Sequence, residues 1–164
     1  MTAGTALPGH VQSLADPPIV IVTTCAGEQR SGCVVGFSTQ CSIKPPRWLV
    51  CISEKNATFD VVTRADVVAV HVLAQENRDL AELFGGETDD EIDKFTRCSW
   101  QPGPGGVPIL DGCPAWMAGP IVDRRPVGDH TAVVFDLDAG EVRNAAASVL
   151  RYRAARSIEP GHAP

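Results

Sequence analysis

A strand-like segment that contains a glycine and stops at two prolines most constrains how this chain folds. Between Gly32 and Pro46 the sequence reads GCVVGFSTQCSIKPP, and apolar runs flank it at Ile19–Thr24 and Trp48–Ser53. A glycine within a strand, here Gly36, lets another group approach the backbone closely. Proline donates no hydrogen bond and ends the ladder. The segment therefore suits contact with a flat ligand better than the filling of a core.

Short apolar runs joined by polar turns indicate an antiparallel sheet, with a first hairpin around Ala26–Arg30 and a last hairpin around Pro126-Val127-Gly128. Their β-branched content predicts strands over Ile19–Thr24, Ser31–Cys41, Trp48–Ser53, Val67–Leu73, Cys113–Asp123 and Asp129–Leu137. Short helices are predicted over Ala57–Arg64 and Asn77–Phe84, and a loop over Pro102–Pro108. No regular alternation of strand and helix favours a parallel sheet. A mainly β fold follows, a small antiparallel barrel with short flanking helices, in which closure hides the sheet edges.

Length and composition favour one domain. The 164 residues, of which 44% are hydrophobic and 21% charged, are enough for one core. We expect a flexible N-terminal arm over residues 1–17, the domain over residues 18–156 and a flexible tail over residues 157–164. The formal net charge of −6, without a basic run, disfavours nucleic acid as a partner. No signal peptide or membrane-spanning run is recognised, so the cytoplasm is the expected location.

Several residues that often carry chemistry have ordinary structural explanations here. The six cysteines lack a Cys-x-x-Cys pair, and buried free thiols are favoured over a metal or redox role. The acidic residues from Glu87 to Asp93 are favoured as a solvated face, and His71, within a strand, as a core or edge histidine. Arg124 and Arg125 suit a dinucleotide phosphate or a solvated turn equally well. Rossmann, P-loop and Gly-x-Ser-x-Gly motifs are missing.

Two further groups offer polar side chains at the ends of predicted strands. The segment Ser53–Thr58 combines hydroxyls, an amide and a cation with a helix start, which suits a phosphate. Simple N-capping by Asn56 is the alternative. Gly128-Asp129-His130 presents a carboxylate and an imidazole at a hairpin turn, as a substrate contact would. There the alternative is a turn aspartate that caps the backbone beside an exposed histidine.

Taken in order, these groups resemble the flavin reductase-like family, whose fold is the FMN-binding split barrel. The likeness runs from about Pro18 to Arg153. Each matching segment is a weak signal alone, but their order and spacing together are specific. Those pieces are Gly32–Pro46, Asn56–Thr58, Val70–Leu73, Leu80–Gly85, Asp93–Phe95, Gly106–Leu110 and Gly128–Thr131.

The resemblance implies a homodimer that holds FMN or FAD at the subunit interface and reduces it with NADH or NADPH. The implied catalytic residue is His130, on the nicotinamide side. The implied cofactor-binding residues are Val34, Val35, Gly36, Phe37, Ser38, Thr39, Gln40, Cys51, Ser53, Lys55, Asn56, Thr58 and Lys94. Where relatives often carry Thr-Ala-Asn-Ser, this chain has Val34-Val35-Gly36-Phe37, so backbone groups and Ser38–Gln40 would supply the polar contacts.

The function that the resemblance implies is an NAD(P)H:flavin oxidoreductase that supplies reduced flavin to a partner monooxygenase. In such chemistry hydride passes from nicotinamide C4 to flavin N5, and the protein mainly stacks and orients the two rings. The alternatives are a flavin- or haem-binding protein without reductase turnover, and a structural dimer that keeps the barrel for interaction alone.

Overall fold

A computed structural model describes residues 3–86 and 92–158, and the side chains from residue 6 onward. Within these residues the strands are β1 (Val20–Ala26), β2 (Gln29–Val35), β3 (Ser38–Ile43), β4 (Pro46–Ser53), β5 (Val67–Val72), β6 (Trp100–Pro102), β7 (Pro108–Leu110), β8 (Ala115–Pro126), β9 (His130–Asp136) and β10 (Ala139–Val142). The α-helices are α1 (Ala3–Ala15), α2 (Ala57–Val62), α3 (Arg78–Gly86) and α4 (Tyr152–Ala155). Most of the predicted acidic face and of the predicted tail lies outside the described residues.

One long strand, β8, joins the two halves of an antiparallel sheet. The strand order is β2-β1-β5-β8-β9-β4-β3, and β10 also pairs with β8. The first half of β8 pairs with β5 and its second half with β9, with a register shift between Ile121 and Asp123. Such a bulge bends a strand and lets the sheet fold over on itself. The predicted split antiparallel barrel is confirmed.

A glycine in β8 is required at the crossing of the two halves. A Cβ atom at Gly119 would lie far inside van der Waals contact with the carbonyl oxygen of Asp136. Backbone atoms cannot move aside as a flexible side chain does. The end of β9 therefore passes β8 closely because position 119 carries no side chain.

Alternation along β1 supplies two cores at once. Val20 and Val22 pack inside the barrel with Phe135, whereas Ile19 and Ile21 face the opposite side. On that side, the second core lies beneath α3 and contains the buried residues Leu73, Phe84, Phe95, Leu110 and Leu150. Successive strand residues point to opposite faces, so a strand that is apolar throughout is buried on both sides.

The predicted hairpins β1–β2 and β8–β9 are confirmed, but the predicted strand Ser31–Cys41 is wrong as a single element. The chain leaves the sheet at Gly36 and Phe37, because β2 pairs with β1 whereas β3 pairs with β4. Strand β2 therefore lies in one half of the barrel and β3 in the other, and the chain crosses between the halves at Gly36 and Phe37.

Three smaller expectations also change. The N-terminal segment, expected to be a loose arm, forms α1 over Ala3–Ala15, with Leu7, Val11 and Leu14 at helical spacing. The predicted loop Pro102–Pro108 is the tip of the hairpin β6–β7, in which its two end prolines pair. Strand β10 was not predicted. The domain boundaries at residues 18 and 156 stay predictions.

No helix within residues 3–86 and 92–158 combines the length and the apolar character needed to cross a membrane. The cytoplasmic location stays a prediction.

Candidate functional site

Strand pairing brings the separate polar groups of the sequence together at one end of β4 and β9. Ser53 of β4 lies opposite His130 of β9, and Cys51 lies opposite Ala132. On the other side of β4, Ser38 of β3 pairs with Val50. Segments that are far apart in the sequence therefore form one continuous surface.

The centre of this surface is a contact between Phe37, His130 and Asp129. Phe37, at the break between β2 and β3, is 46% exposed, and its ring centroid lies 5.3 Å from that of His130 at an interplanar angle of 61°. Nδ1 of His130 lies 2.7 Å from Oδ1 of Asp129. This hydrogen bond, helped by the charge of Lys55, lowers the pKa of Asp129 below its ordinary value.

The segment after β4 forms a capped helix start beside this contact. Oδ1 of Asn56 accepts a hydrogen bond from the backbone N–H of Thr58 at 2.9 Å, so Asn56 is the N-cap of α2. Oγ of Ser53 accepts one from the backbone N–H of Lys55 at 3.4 Å. The capping interpretation of Asn56 is thus confirmed, while a role toward phosphate stays a prediction.

Three of the predicted cofactor-binding residues lie in the interior instead. Val35 is 4%, Thr58 0% and Lys94 2% exposed. The hydroxyl groups of Thr58 and Ser31 share a hydrogen bond of 2.9 Å. Nζ of Lys94 donates to the carbonyl oxygens of Gly32 and Phe84 at 3.0 and 3.2 Å. The structure does not bring these three side chains to the surface around His130.

The residues predicted to line a flat ligand differ in their burial and in the hydrogen bonds that they make. Val34 packs into the second core, beside α3. A Cβ atom at Gly36 would have no described atom within 4 Å, so this side of the backbone is open. Oγ of Ser38 accepts a hydrogen bond from Nε1 of Trp48 at 2.6 Å, whereas Thr39 and Gln40 are exposed. Because β3 is the last strand of the sheet, its outer edge presents backbone groups.

Two residues of the site were not among the predicted site residues. Asp129 holds the imidazole, and Glu54 accepts a hydrogen bond from the Thr131 hydroxyl at 2.9 Å while its backbone N–H donates to the carbonyl oxygen of Asp129 at 3.1 Å. Both belong to segments that the sequence singled out. Their specific roles depend on the pairing of β4 with β9, which no local pattern reveals.

Other candidate residues have structural roles. His71 is fully buried; its Nδ1 lies 3.2 Å from the carbonyl oxygen of Ile21, and its Nε2 accepts from the backbone N–H of Leu110 at 3.0 Å. The prediction of a core histidine is confirmed. Arg124 donates to the carbonyl oxygens of Val62 and Ala65 and ties β8 to the end of α2.

The prediction that the cysteines are buried free thiols is wrong for part of the set. Cys33 and Cys113 are buried, Cys41 is exposed, and Cys25, Cys51 and Cys98 are half-buried. Burial raises the pKa of Cys113 to about 12, which keeps this thiol protonated and unreactive.

The arrangement as a whole suits the holding of a flat polar molecule. It combines an exposed aromatic ring, an oriented imidazole, a strand edge with backbone donors and acceptors, and a nearby cation at Lys55. Such groups stack, hydrogen-bond and balance charge.

Comparison with known proteins gives a match along most of the chain. A family model described as "Flavin reductase like domain" matches residues 14–159. The FMN reductase (NADH) RutF of Stutzerimonas stutzeri (strain A1501) is 32% identical over 110 residues, which are 67% of this chain and 63% of that relative. The NADH:FMN oxidoreductase of Rhodococcus erythropolis is 27% identical over 145 residues, covering 87% of this chain and 74% of that relative. A "Probable flavin reductase" of Rhizobium meliloti (strain 1021) is 27% identical over 124 residues, which are 73% of this chain and 39% of that relative. The chain thus spans less than two thirds of two of these relatives.

Solved structures share the fold. The NADH:FAD oxidoreductase of Streptomyces globisporus superposes with a TM-score of 0.81 at 21% identity, covering 93% of this chain and 91% of that one. The flavin reductase HpaC complexed with NADP+ gives a TM-score of 0.76 at 20% identity, covering 90% and 94% of the two chains.

Proposed function

Because this chain belongs to the family of flavin reductase-like domains, we propose that it is an NAD(P)H:flavin oxidoreductase whose site is the surface around Phe37 and His130. When bound, the flavin supplies the hydride-accepting N5 atom that takes hydride from the nicotinamide C4 of NADH or NADPH. The main support for the proposal is that Phe37, His130 and Ser53 lie together at one end of β4 and β9.

The residues present fit a flavin. The open side of Gly36 gives a planar ring room to approach the backbone, and the exposed edge of β3 offers donors and acceptors to its polar rim. Phe37 supplies an apolar surface for stacking. Lys55 supplies a positive charge for the phosphate, beside Ser53 and Asn56. We assign Val35, Thr58 and Lys94 to the support of this surface from behind, because their side chains are buried.

The protein contributes orientation rather than acid–base chemistry in this proposal. The β3 edge and Phe37 would hold the flavin ring, and His130 would orient the nicotinamide ring of the donor beside it. Asp129 and the backbone of Glu54 fix the turn that carries His130. No side chain of the site needs to become a nucleophile.

A second copy of the chain and a monooxygenase are the proposed partners. Exposed apolar residues at both ends of the β3 segment, Phe37 at 46% and Ile43 at 78%, support coverage of this edge in a homodimer. Among relatives, the reductase component of a Rhizobium FADH(2)-dependent resorcinol hydroxylase is 29% identical over 126 residues, 76% of this chain and 70% of the relative. This likeness supports delivery of reduced flavin to a separate hydroxylase.

An anaerobic titration tests the proposal. FMN or FAD is added to the purified protein while the flavin absorbance is followed, and NADH or NADPH is then added. We expect binding followed by bleaching of the flavin band at a rate far above that of free flavin with the same donor. Binding without faster bleaching would favour the flavin-binding alternative. Absence of flavin binding would refute the proposal, and a haem titration would then test the haem-binding alternative.

A further inference from the structure

A cavity lies where the chain segment after β10 passes the end of α1, and none of its lining residues belongs to the surface around Phe37 and His130. Its volume is about 710 Å³. Its polar lining consists of Asp16, Gln75, Ser148, Arg151 and Arg153, and the remaining lining residues are apolar. Cavities that bind small molecules have volumes of about 300–1,000 Å³ and combine apolar walls with a few polar groups. The cavity at the end of α1 therefore has the size and composition of a binding site.

Local backbone geometry places both arginines on this cavity. Arg151 is extended, with φ −118° and ψ 165°, and it forms an isolated bridge with Pro18. Because successive residues of an extended chain point to opposite sides, Tyr152 packs against the second core whereas Arg151 and Arg153 line the cavity. Residues 142–158 contain four arginines and no acidic residue, in a chain whose formal net charge is −6. The cavity is thus formed by a locally basic segment.

Asp16 orients both guanidinium groups. It follows α1 in the left-handed region at φ 48°, and its backbone N–H donates to the carbonyl oxygen of Gln12 at 2.8 Å. Its Oδ1 accepts from the backbone N–H of Arg153 at 2.8 Å, and its Oδ2 lies 3.1 Å from Nε of the same arginine. Its carbonyl oxygen accepts from Nη1 of Arg151 at 3.2 Å. The two guanidinium groups are therefore held in place before any ligand binds.

The lining has one positive charge more than it has negative charges. The hydrogen bond from the backbone of Arg153, followed by the contact with its guanidinium, holds the pKa of Asp16 below its ordinary value, so this carboxylate stays ionised and paired. Within residues 6–86 and 92–158, Arg151 has no carboxylate partner. A guanidinium has five N–H donors, and each of these two uses one of them in that part of the chain. The remaining donors, with those of Ser148 and Gln75, are available to an anion.

We propose that this cavity binds an organic phosphate of about nucleotide size, with Arg151 and Arg153 as the anchors of its phosphate group. A phosphate monoester has three acceptor oxygens and a charge near −2 at neutral pH, so it can accept hydrogen bonds from both guanidinium groups. A carboxylate has two oxygens, which a single arginine satisfies. The organic part lies against the apolar lining and Gln75. The site takes no part in the proposed reduction of flavin.

Calorimetric titrations of the full-length protein with AMP, adenosine and inorganic phosphate test the proposal. We expect one AMP to bind per chain. Adenosine, which lacks the phosphate, should bind at least about tenfold more weakly, because the charge-assisted hydrogen bonds are lost. Inorganic phosphate should also bind more weakly than AMP, because it leaves the apolar lining uncovered. An AMP affinity no greater than that of adenosine would overturn the phosphate site. Equal affinities for AMP and inorganic phosphate would overturn the role of the apolar lining.

Two variants with opposite expected effects locate the site. Arg151→Gln removes the guanidinium without a counter-charge and should weaken AMP binding about tenfold. Asp16→Asn removes the competing carboxylate while asparagine tolerates the left-handed backbone, and it should tighten AMP binding about threefold. This gain keeps the test decisive if Arg151→Gln fails to fold. An AMP affinity that does not rise in Asp16→Asn would contradict binding beside this carboxylate.

Two control variants separate this site from the rest of the surface. Arg64→Gln removes an exposed arginine outside the cavity, and Lys55→Ala removes the cation of the flavin surface. Both should leave AMP binding unchanged. AMP binding that is lost in Lys55→Ala but kept in Arg151→Gln would place the nucleotide on the flavin surface and overturn the proposal. Because no step of flavin reduction is measured, the outcome is independent of the proposed function.

Discussion

Replacement of Lys94 by methionine tests whether this lysine stabilises the fold or contacts the cofactor. The variant Lys94→Met keeps most of the side-chain volume but removes the Nζ donor from the carbonyl oxygens of Gly32 and Phe84. Hydrogen bonds from a charged group contribute about 1.5–3 kcal/mol each. Removal of the buried ammonium offsets part of that loss, because its desolvation no longer opposes folding.

The net expectation is a loss of about 1–3 kcal/mol in the free energy of unfolding. For a chain of this size that corresponds to a fall in Tm of roughly 3–10 °C. Urea unfolding and thermal melting at equal protein concentration measure both quantities. The exposed Lys44 gives a matched control, and Lys44→Met should change stability by less than about 0.5 kcal/mol.

If Lys94 contacted the flavin directly, Lys94→Met would instead weaken flavin binding and leave the stability unchanged. We expect the Kd for FMN to stay within about threefold of wild type, because the side chain of Lys94 is 2% exposed and bonded to Gly32 and Phe84 in the interior. Unchanged stability with a tenfold weaker Kd would refute the assignment of Lys94 to the interior.

Three further predictions follow from particular contacts. Gly119→Ala should lower stability by about 4 kcal/mol or abolish folding, since a Cβ would collide with the backbone of Asp136; an unchanged melting curve would contradict the close crossing. Burial lowers the pKa of His71 from 6.5 to about 4, so its contribution to stability is complete above about pH 6.5 and is lost as the pH falls toward 4. Wild type should therefore lose about 3 kcal/mol more than His71→Gln over that range in urea titrations, and parallel curves would exclude this origin. Lys55→Ala should weaken FMN binding about tenfold but leave riboflavin binding unchanged, because riboflavin lacks the phosphate; equal weakening of both flavins would place the phosphate elsewhere.

Local sequence patterns were sufficient to predict two hairpins and one helix N-cap. The β1–β2 and β8–β9 hairpins follow from β-branched runs separated by short polar turns. Asn56 has the residue type and position of an N-cap, and it makes the expected hydrogen bond. These features depend on neighbours within a few residues, which is the range over which sequence patterns are informative.

Features that depend on long-range pairing could not be predicted in the same way. The segment from Ser31 to Cys41 reads as one strand, and it breaks because its two ends pair with different halves of the barrel. The resemblance implies that Lys94 contacts the cofactor, yet its side chain is buried, where the carbonyl oxygens of Gly32 and Phe84 accept its hydrogen bonds. The resemblance to a family pointed to segments that the fold brings together around Phe37 and His130. It did not distinguish side chains that face the surface from those that face the core.

The meeting of Phe37 with His130 illustrates the same limit for the site. The two rings are far apart in the sequence and touch because β4 lies between β3 and β9. Sequence reasoning identified each residue from its own segment. Their contact, and the orientation of the imidazole by Asp129, required the fold.

Anaerobic stopped-flow reduction tests the central claim most directly. Flavin-loaded wild type, His130→Ala and the exposed control His10→Ala are mixed with NADH, and the bleaching of the flavin band is timed. We predict rapid bleaching in wild type and His10→Ala, and bleaching at least tenfold slower in His130→Ala with flavin affinity within threefold of wild type. Equal rates in all three proteins would contradict the placement of flavin reduction at the surface around Phe37 and His130.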